Sequence, residues 1–354
     1  MFAKLINILL VYLMVVINIT LLLLPPLFFF LAFFIVSHPE IIHNHDFIYK
    51  VRLLVIFAVF MSSLLMLIYL LLDFIFGFSV RFSLKNCQRY EKFSSYDFLT
   101  DIFEQVKSKF MQPRVRLYIK NSQEINAFAV ASFGSKAIVL THGMIKHYLN
   151  NCDNHKDFIY AIRSIIAHEM SHLVNKDFLP TLLIIANRKA TNVVVSLCYL
   201  AINLFGKLFY LLLREGFVIK MINFLHNIFG FFLGFFNRVV VFNIYRFIGL
   251  SLSRSIEYRC DFQAAQAFGG KRMAFALSLL GKSGYFTLFS THPSTKSRID
   301  KVANVVAKEG VVLPRIVDEL ANYIAMIFLF IVVFCLASEC GIDRWLLRYL
   351  LNFV

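Results

Sequence analysis

The chain has 354 residues, 59% of them hydrophobic and only 16% charged, with a formal net charge of +15. A soluble domain of ordinary composition is about 45–50% apolar and roughly 25% charged, so these proportions exclude a disordered chain, a nucleic-acid-binding tail protein and an ordinary cytosolic globule. The apolar residues are gathered in blocks and Lys and Arg collect near block ends, where anionic lipid attracts them; the composition therefore describes an integral membrane protein whose basic charge faces a lipid bilayer, with no nucleic-acid partner.

The first block, Leu5–Val36, is far longer than the roughly 7–15 residues of a signal-peptide core and ends in no small-x-small cleavage site, so a retained anchor is expected, kinked or ended near Pro25-Pro26. Leu53–Leu72 is uncharged and makes a second span, since about 20 apolar residues cross the hydrocarbon. His38, His43 and His45 in the loop between them read as solvated residues. Lys4, Arg81, Lys85, Arg89 and Lys92 stand on one side of this hairpin against Lys50 and Arg52 on the other, which places the N-terminus and the segment from about Val80 to Phe178 in the cytoplasm. In that segment the composition turns mixed. Pro113-Arg114 and Asn121-Ser122 mark turns, Val115–Ile119 and Ala137–Leu140 read as short strands, and Phe158–Leu173 has helical spacing.

This helix carries His168-Glu169-Met170-Ser171-His172, an HExxH motif. Residues four apart on a helix differ by about 40° around its axis, so both imidazoles reach one metal ion. Glu169 then faces the open coordination position, where it can take a proton from a bound water. Two further apolar runs follow, Ala190–Gly206 and Met221–Asn237, separated by Lys207, Arg214, Glu215 and Lys220; they read as a second membrane hairpin or as an interfacial one. Beyond them, Glu257 and Asp261 share a helical face. Glu257 is the candidate third ligand, with Asp261 orienting a ligating His through its second ring nitrogen; the alternative is a solvated helix residue. An even number of crossings between His172 and Glu257 keeps the two on one side. The last apolar run is Leu320–Ser338. The six cysteines form no CxxC pair, so neither a disulfide framework nor a cysteine zinc site is expected.

Four blocks in order give the chain a family resemblance: Asn126-Ala127-Phe128-Ala129, the HExxH extended to Asn175 and Asp177, SRxxEYxxD from Ser253 to Asp261, and His292-Pro293-Ser294-Thr295-Lys296-Ser297-Arg298-Ile299. It resembles the HtpX-like membrane zinc metallopeptidases, relatives of the CAAX prenyl proteases, over roughly Ile125 to Ile299. The resemblance implies one Zn2+ per chain held by His168, His172 and Glu257, and Glu169 as general base. It implies Asp261 and Asp177 as residues supporting the ligands, and Asn126, Ala127, Phe128 and Ala129 as an edge strand that pairs with an extended substrate. His292 and Arg298 resemble a pair lining the cleft, stabilising the oxyanion or holding substrate. Cys260 stands where the family usually has alanine, Ser294 where a second proline is common, and the Leu320–Ser338 run is not part of the typical bacterial layout.

The expectation is thus an α-helical integral membrane protein with a cytoplasmic zincin-type α+β domain. Its parts are an N-terminal hairpin (1–80), a first catalytic half (81–178), a membrane hairpin (179–250), a second catalytic half (251–318) and a C-terminal apolar helix and tail (319–354). By resemblance it would be an endopeptidase of the bacterial inner membrane acting on misfolded or damaged membrane proteins. The alternatives are a CAAX-type prenyl protease and a non-catalytic scaffold that keeps the fold. The sequence leaves the oligomeric state open.

Overall fold

The computed structural model describes residues 45–132, 134–179, 242–280 and 293–341, with scattered helical positions between 182 and 235. The expected spans Leu5–Val36, Ala190–Gly206 and Met221–Asn237 lie outside the described residues apart from those scattered positions, as does His292.

Helix α1 (His45–Phe76) extends upstream of Leu53, because His45–Arg52 holds neither Pro nor Gly and its Lys50 and Arg52 are good helix formers. Gly77 turns the chain with φ of 60°, a conformation that suits a residue without Cβ. Buried Asp73 then accepts from the Ser79 amide at 2.7 Å and its hydroxyl at 2.9 Å, tying down the short helix α2 (Phe78–Ser83). Strand β1 (Cys87–Arg89) and two short 3-10 turns lead to α3 (Leu99–Lys109). Leu99, Ile102, Phe103 and Val106 are its buried stripe, and Lys107 and Lys109 complement the helix dipole at its end.

Next come β2 (Arg116–Lys120), β3 (Ala127–Ala131) and β4 (Lys136–Thr141). The sheet order is β1-β2-β4-β3. β2 and β4 are parallel, with Leu117 opposite Ile138 and Ile119 opposite Leu140, and the outer pairs are antiparallel. Interior β4 is an almost continuous apolar run buried on both faces, whereas β2 buries only alternate residues. β3 is an edge strand and runs beside the long helix described next.

Thr141 caps α4 (His142–Asn151) by accepting from the Met144 amide at 3.2 Å, and Asn154 caps α5 (His155–Val174) by accepting from the Asp157 amide at 2.9 Å. The remaining helices are α6 (Phe242–Phe268), α7 (Gly270–Leu279), α8 (Thr295–Val302) and α9 (Ile316–Glu339). The Gly269-Gly270 pair joins α6 to α7. Gly269 has φ of 102°, and a Cβ on Gly270 would lie 2.0 Å from the Val302 carbonyl oxygen, so α7 can meet the end of α8 only without a side chain there.

Leu117, Ile138 and Leu140 of the sheet, Leu99 and Val106 of α3, Ile162, Ile166 and Met170 of α5, Ala264 and Ala265 of α6, and Met273 and Leu277 of α7 form one core. Burying each large apolar side chain is worth about 1.5–3 kcal/mol. Chain contacts divide the protein into two units. Among the described residues, the first comprises residues 71–182 and 249–323 and holds the sheet and this core. The second includes the early part of α1 and α9 beyond Tyr323. Among the described residues, Glu319–Glu339 is the helical stretch long and apolar enough to cross a membrane, and Ser63–Phe76 is a shorter apolar stretch. Phe330, Ile331 and Phe334 of the former are exposed.

Candidate metal centre

The second half of α5 is buried on nearly all sides, with His172 half-buried. Ile165 through Ser171 are all buried, so His168 and Glu169 sit in the interior rather than on an open surface. His168 and His172, one turn apart, direct their Nε2 atoms to within 3.3 Å of each other. Glu257 comes from α6. Its Oε2 lies 3.5 Å from His168 Nε2 and its Oε1 3.7 Å from His172 Nε2. The three residues form a cluster with the chemistry of a metal site. Zinc bonds of about 2.0–2.1 Å at tetrahedral angles separate neighbouring donors by roughly 3.4 Å, close to the 3.3 Å between the two Nε2 atoms, and one ligand atom from each of the three residues lies within 4.8 Å of the other two. Two imidazoles and a carboxylate also form a donor set suited to zinc.

Each ligand candidate is held from behind. His168 Nδ1 lies 2.9 Å from Asp261 Oδ1, and Asp261 receives a bidentate pair of hydrogen bonds from Arg298, both at 2.7 Å. The same guanidinium reaches to 3.3 Å from Glu257 Oε2. On the other side, His172 Nδ1 donates to Asp177 Oδ2 at 3.1 Å, and Asp177 in turn accepts from Arg259. The Cys260 sulfur stands 3.4 Å from His172 Nδ1. This arrangement, imidazole backed by carboxylate backed by guanidinium, fixes ring orientation and ligand basicity in metal sites.

The charge count points the same way. Glu169, Asp177, Glu257 and Asp261 are buried here, and so are Arg259 and Arg298. Four carboxylates against two guanidiniums leave two negative charges in a medium where uncompensated charge is costly. A divalent cation, or one proton on each imidazole, restores neutrality. Burial alone would lower the His168 pKa, yet Asp261 and Glu257 outweigh it and push it up to about 10. His172 is likewise held well above its ordinary value, burial being outweighed by Cys260, Asp177 and Glu169. Asp261 shows the converse: burial would raise it, and hydrogen bonds from Arg298 and His168 hold it below the usual carboxylate range.

Of the residues singled out in the sequence, His168, Glu169, His172, Asp177, Glu257, Asp261 and Arg298 thus converge. Ala127, Phe128 and Ala129 lie on the edge strand β3, and Asn126 immediately precedes it, its amide donating to Thr141 Oγ1 at 3.1 Å. Arg298 is 8% exposed, its guanidinium engaged by the ligand-side carboxylates. Arg259 had no role in the sequence reading; a lone cation between Glu257 and Asp261 was its one signal. Gln263, two residues beyond Asp261, accepts from Asn175 Nδ2 at 2.6 Å and from the Ser171 hydroxyl, which ties α6 to the motif helix. Among the described residues no disulfide forms, and Cys87, Cys152, Cys260, Cys335 and Cys340 are free thiols.

Comparison with known proteins gives two findings. The profile of peptidase family M48 matches residues 98–306, more than half the chain and the whole of the cluster just described. Proteins named protease HtpX homolog from Neisseria meningitidis and Neisseria gonorrhoeae are 28% identical over 212 residues, which cover 54% of this chain and 66% of theirs. The chain thus spans just under two thirds of the length of these relatives. No solved structure matches.

Proposed function

The chain belongs to peptidase family M48, and from that premise we propose that it is a membrane-bound, zinc-dependent endopeptidase acting on misfolded or damaged membrane proteins. The observation that carries the proposal is the triangle of His168, His172 and Glu257, with Glu169 beside it on the same buried turn. The similarity to proteins named protease HtpX homolog supports the same reading. Zinc, when bound there, supplies Lewis acidity toward the scissile carbonyl and makes a water acidic enough to attack.

The chain's own residues do the rest. Glu169 removes the proton of the attacking water and passes it to the leaving amine. Asp261 and Asp177 hold the imidazoles in register, and Arg298 pins Asp261. An extended polypeptide pairs with the open edge of β3, residues Ala127–Ala131, through backbone hydrogen bonds, which lays a peptide bond alongside α5. In this reading the active site faces the cytoplasm at a bacterial inner membrane. The segments 1–80, 179–250 and 319–354 serve the membrane, and 81–178 and 251–318 form the catalytic body.

The test is degradation of an unfolded reporter in detergent by wild type and by Glu169→Gln at matched zinc content. Loss of cleavage in the variant with zinc retained is the expected result. Equal cleavage by both preparations would refute the assignment of the base. Cleavage confined to prenylated C-terminal peptides would favour a CAAX-type protease, and absence of cleavage despite one bound zinc would favour a scaffold.

A further inference from the structure

Helix α5 ends in a tight reverse turn. The Asp177 amide donates to the His172 carbonyl at 3.1 Å and the Lys176 amide to the Leu173 carbonyl at 3.4 Å, the two bonds of a Schellman cap. In such a cap the side chain two places past the cap residue returns to the last turn of the helix. Here that geometry delivers Asp177 to His172 Nδ1. The residue at the left-handed position is usually glycine, but in this chain it is Lys176, with φ of 54°, a conformation that side chains rarely adopt. The turn on which Asp177 depends is therefore not secured by its own sequence.

What secures it comes from the far end of the chain. Asn322, 2% exposed on the second turn of α9, donates from Nδ2 to the carbonyl oxygens of Asn175 at 3.3 Å and Lys176 at 3.4 Å. The Arg315 amide donates to Asn175 Oδ1 at 3.2 Å, and Gln263, which accepts from Asn175, donates to the Leu313 carbonyl at 3.1 Å. The Lys176 ammonium donates to the Tyr323 hydroxyl at 2.6 Å and pairs with Glu319 at 2.9 Å. Six contacts thus run from residues 313–323 onto the Asn175–Lys176 turn or its Gln263 partner.

We infer that residues 313–323 form a clamp that positions the metal centre, holding the Asn175–Asp177 turn in its left-handed conformation and so keeping Asp177 on His172. Asn322 is its central positioning residue. It touches neither ligand nor substrate and acts through the turn, and α9, the helix that supplies it, continues into the apolar stretch Glu319–Glu339. The inference rests on the metal reading proposed above.

The test uses the full-length chain in detergent. Zinc affinity is measured by competition with a chromophoric chelator, and the visible spectrum of the cobalt-substituted protein is recorded. Asn322→Asp keeps the shape and removes the donor. Groups that orient metal ligands typically account for 10- to 100-fold in affinity, so zinc binding should weaken by about tenfold, with an altered cobalt spectrum and an unchanged helical circular dichroism signal. The more exposed double variant Glu319→Gln/Tyr323→Phe should shift both readouts in the same direction by less, and it decides the matter if Asn322→Asp does not fold. Wild-type affinity and spectrum in the variants would overturn the clamp while leaving the metal centre standing. Absence of one tightly bound zinc in the wild type would overturn both.

Discussion

Arg298 is the residue whose replacement discriminates most sharply between two readings of the site. As part of a cleft-lining pair it would act on substrate; in the structure its guanidinium is bidentate on Asp261 at 2.7 Å and lies 3.3 Å from Glu257. Asp261 is completely buried. Arg298→Ala would leave that carboxylate facing His168 alone, and removing one member of a buried ion pair costs about 3–5 kcal/mol. At roughly 2–4 °C per kcal/mol for a catalytic body of this size, the melting temperature in detergent should fall by about 6–20 °C. Zinc affinity should fall with it, by about 10- to 100-fold as for other groups that orient a ligand. Arg298→Lys, which keeps the charge but not the fork, should lie between. Asp261→Leu/Arg298→Met removes both partners at once and should recover much of the stability but not the zinc affinity, since His168 then loses its brace. Unchanged melting and unchanged zinc affinity in Arg298→Ala, with cleavage alone abolished, would refute this account and return Arg298 to the substrate.

Three further outcomes are expected. Metal binding requires both imidazoles neutral, whereas His168 is held up to about 10 and His172 well above its ordinary value, so zinc uptake at pH 7 must release protons and apparent affinity must rise as pH rises. Calorimetry in buffers of different ionisation enthalpy reads this directly, and a heat independent of buffer would contradict it. Gly270→Ala puts a methyl group 2.0 Å from the Val302 carbonyl and should destabilise the protein by at least about 1–3 kcal/mol, as overpacking does; a neutral thermal melt would show that α7 and α8 can separate freely. Tyr148→Phe removes the fully buried hydroxyl that donates to the Ala276 carbonyl at 2.8 Å. It should cost about 0.5–1.5 kcal/mol in a melt and leave zinc affinity unchanged.

What could be read from the sequence was local. His168 and His172 are one helical turn apart, and Glu257 and Asp261 likewise, so each pair announces a shared face by spacing alone. Strands β2 and β4 showed as short apolar runs because the sheet is narrow and β4 is buried on both sides. The reach of α1 back to His45 was missed because a polar composition was taken for a loop where nothing broke the helix. For Arg298 a motif gives the residue type without its direction; in the structure its side chain points at Asp261, 37 positions earlier. Asn322 left no trace at all. It joins Asn175 across 147 positions, and a single amide within an apolar run has neither period nor neighbour to mark it.

The buried charges also show why the segment that carries His168 and the one that carries Glu257 must fold as one. The segment through Asp177 contributes His168, Glu169, His172 and Asp177, and the later segment contributes Glu257, Arg259, Asp261 and Arg298. Besides the contacts of His172 with His168 and Asp177 inside the first set, its pairings cross between segments: His168 with Asp261, His172 with Glu257, Asp177 with Arg259. Neither segment could bury its share alone, because an unpaired carboxylate in the interior costs several kcal/mol, while together they are two positive charges short of neutrality. In the metal reading proposed above, assembly of the core and occupation of the metal centre are therefore linked equilibria. A cation for that residual charge stabilises the joined state, and a variant that separates the segments is expected to weaken metal binding.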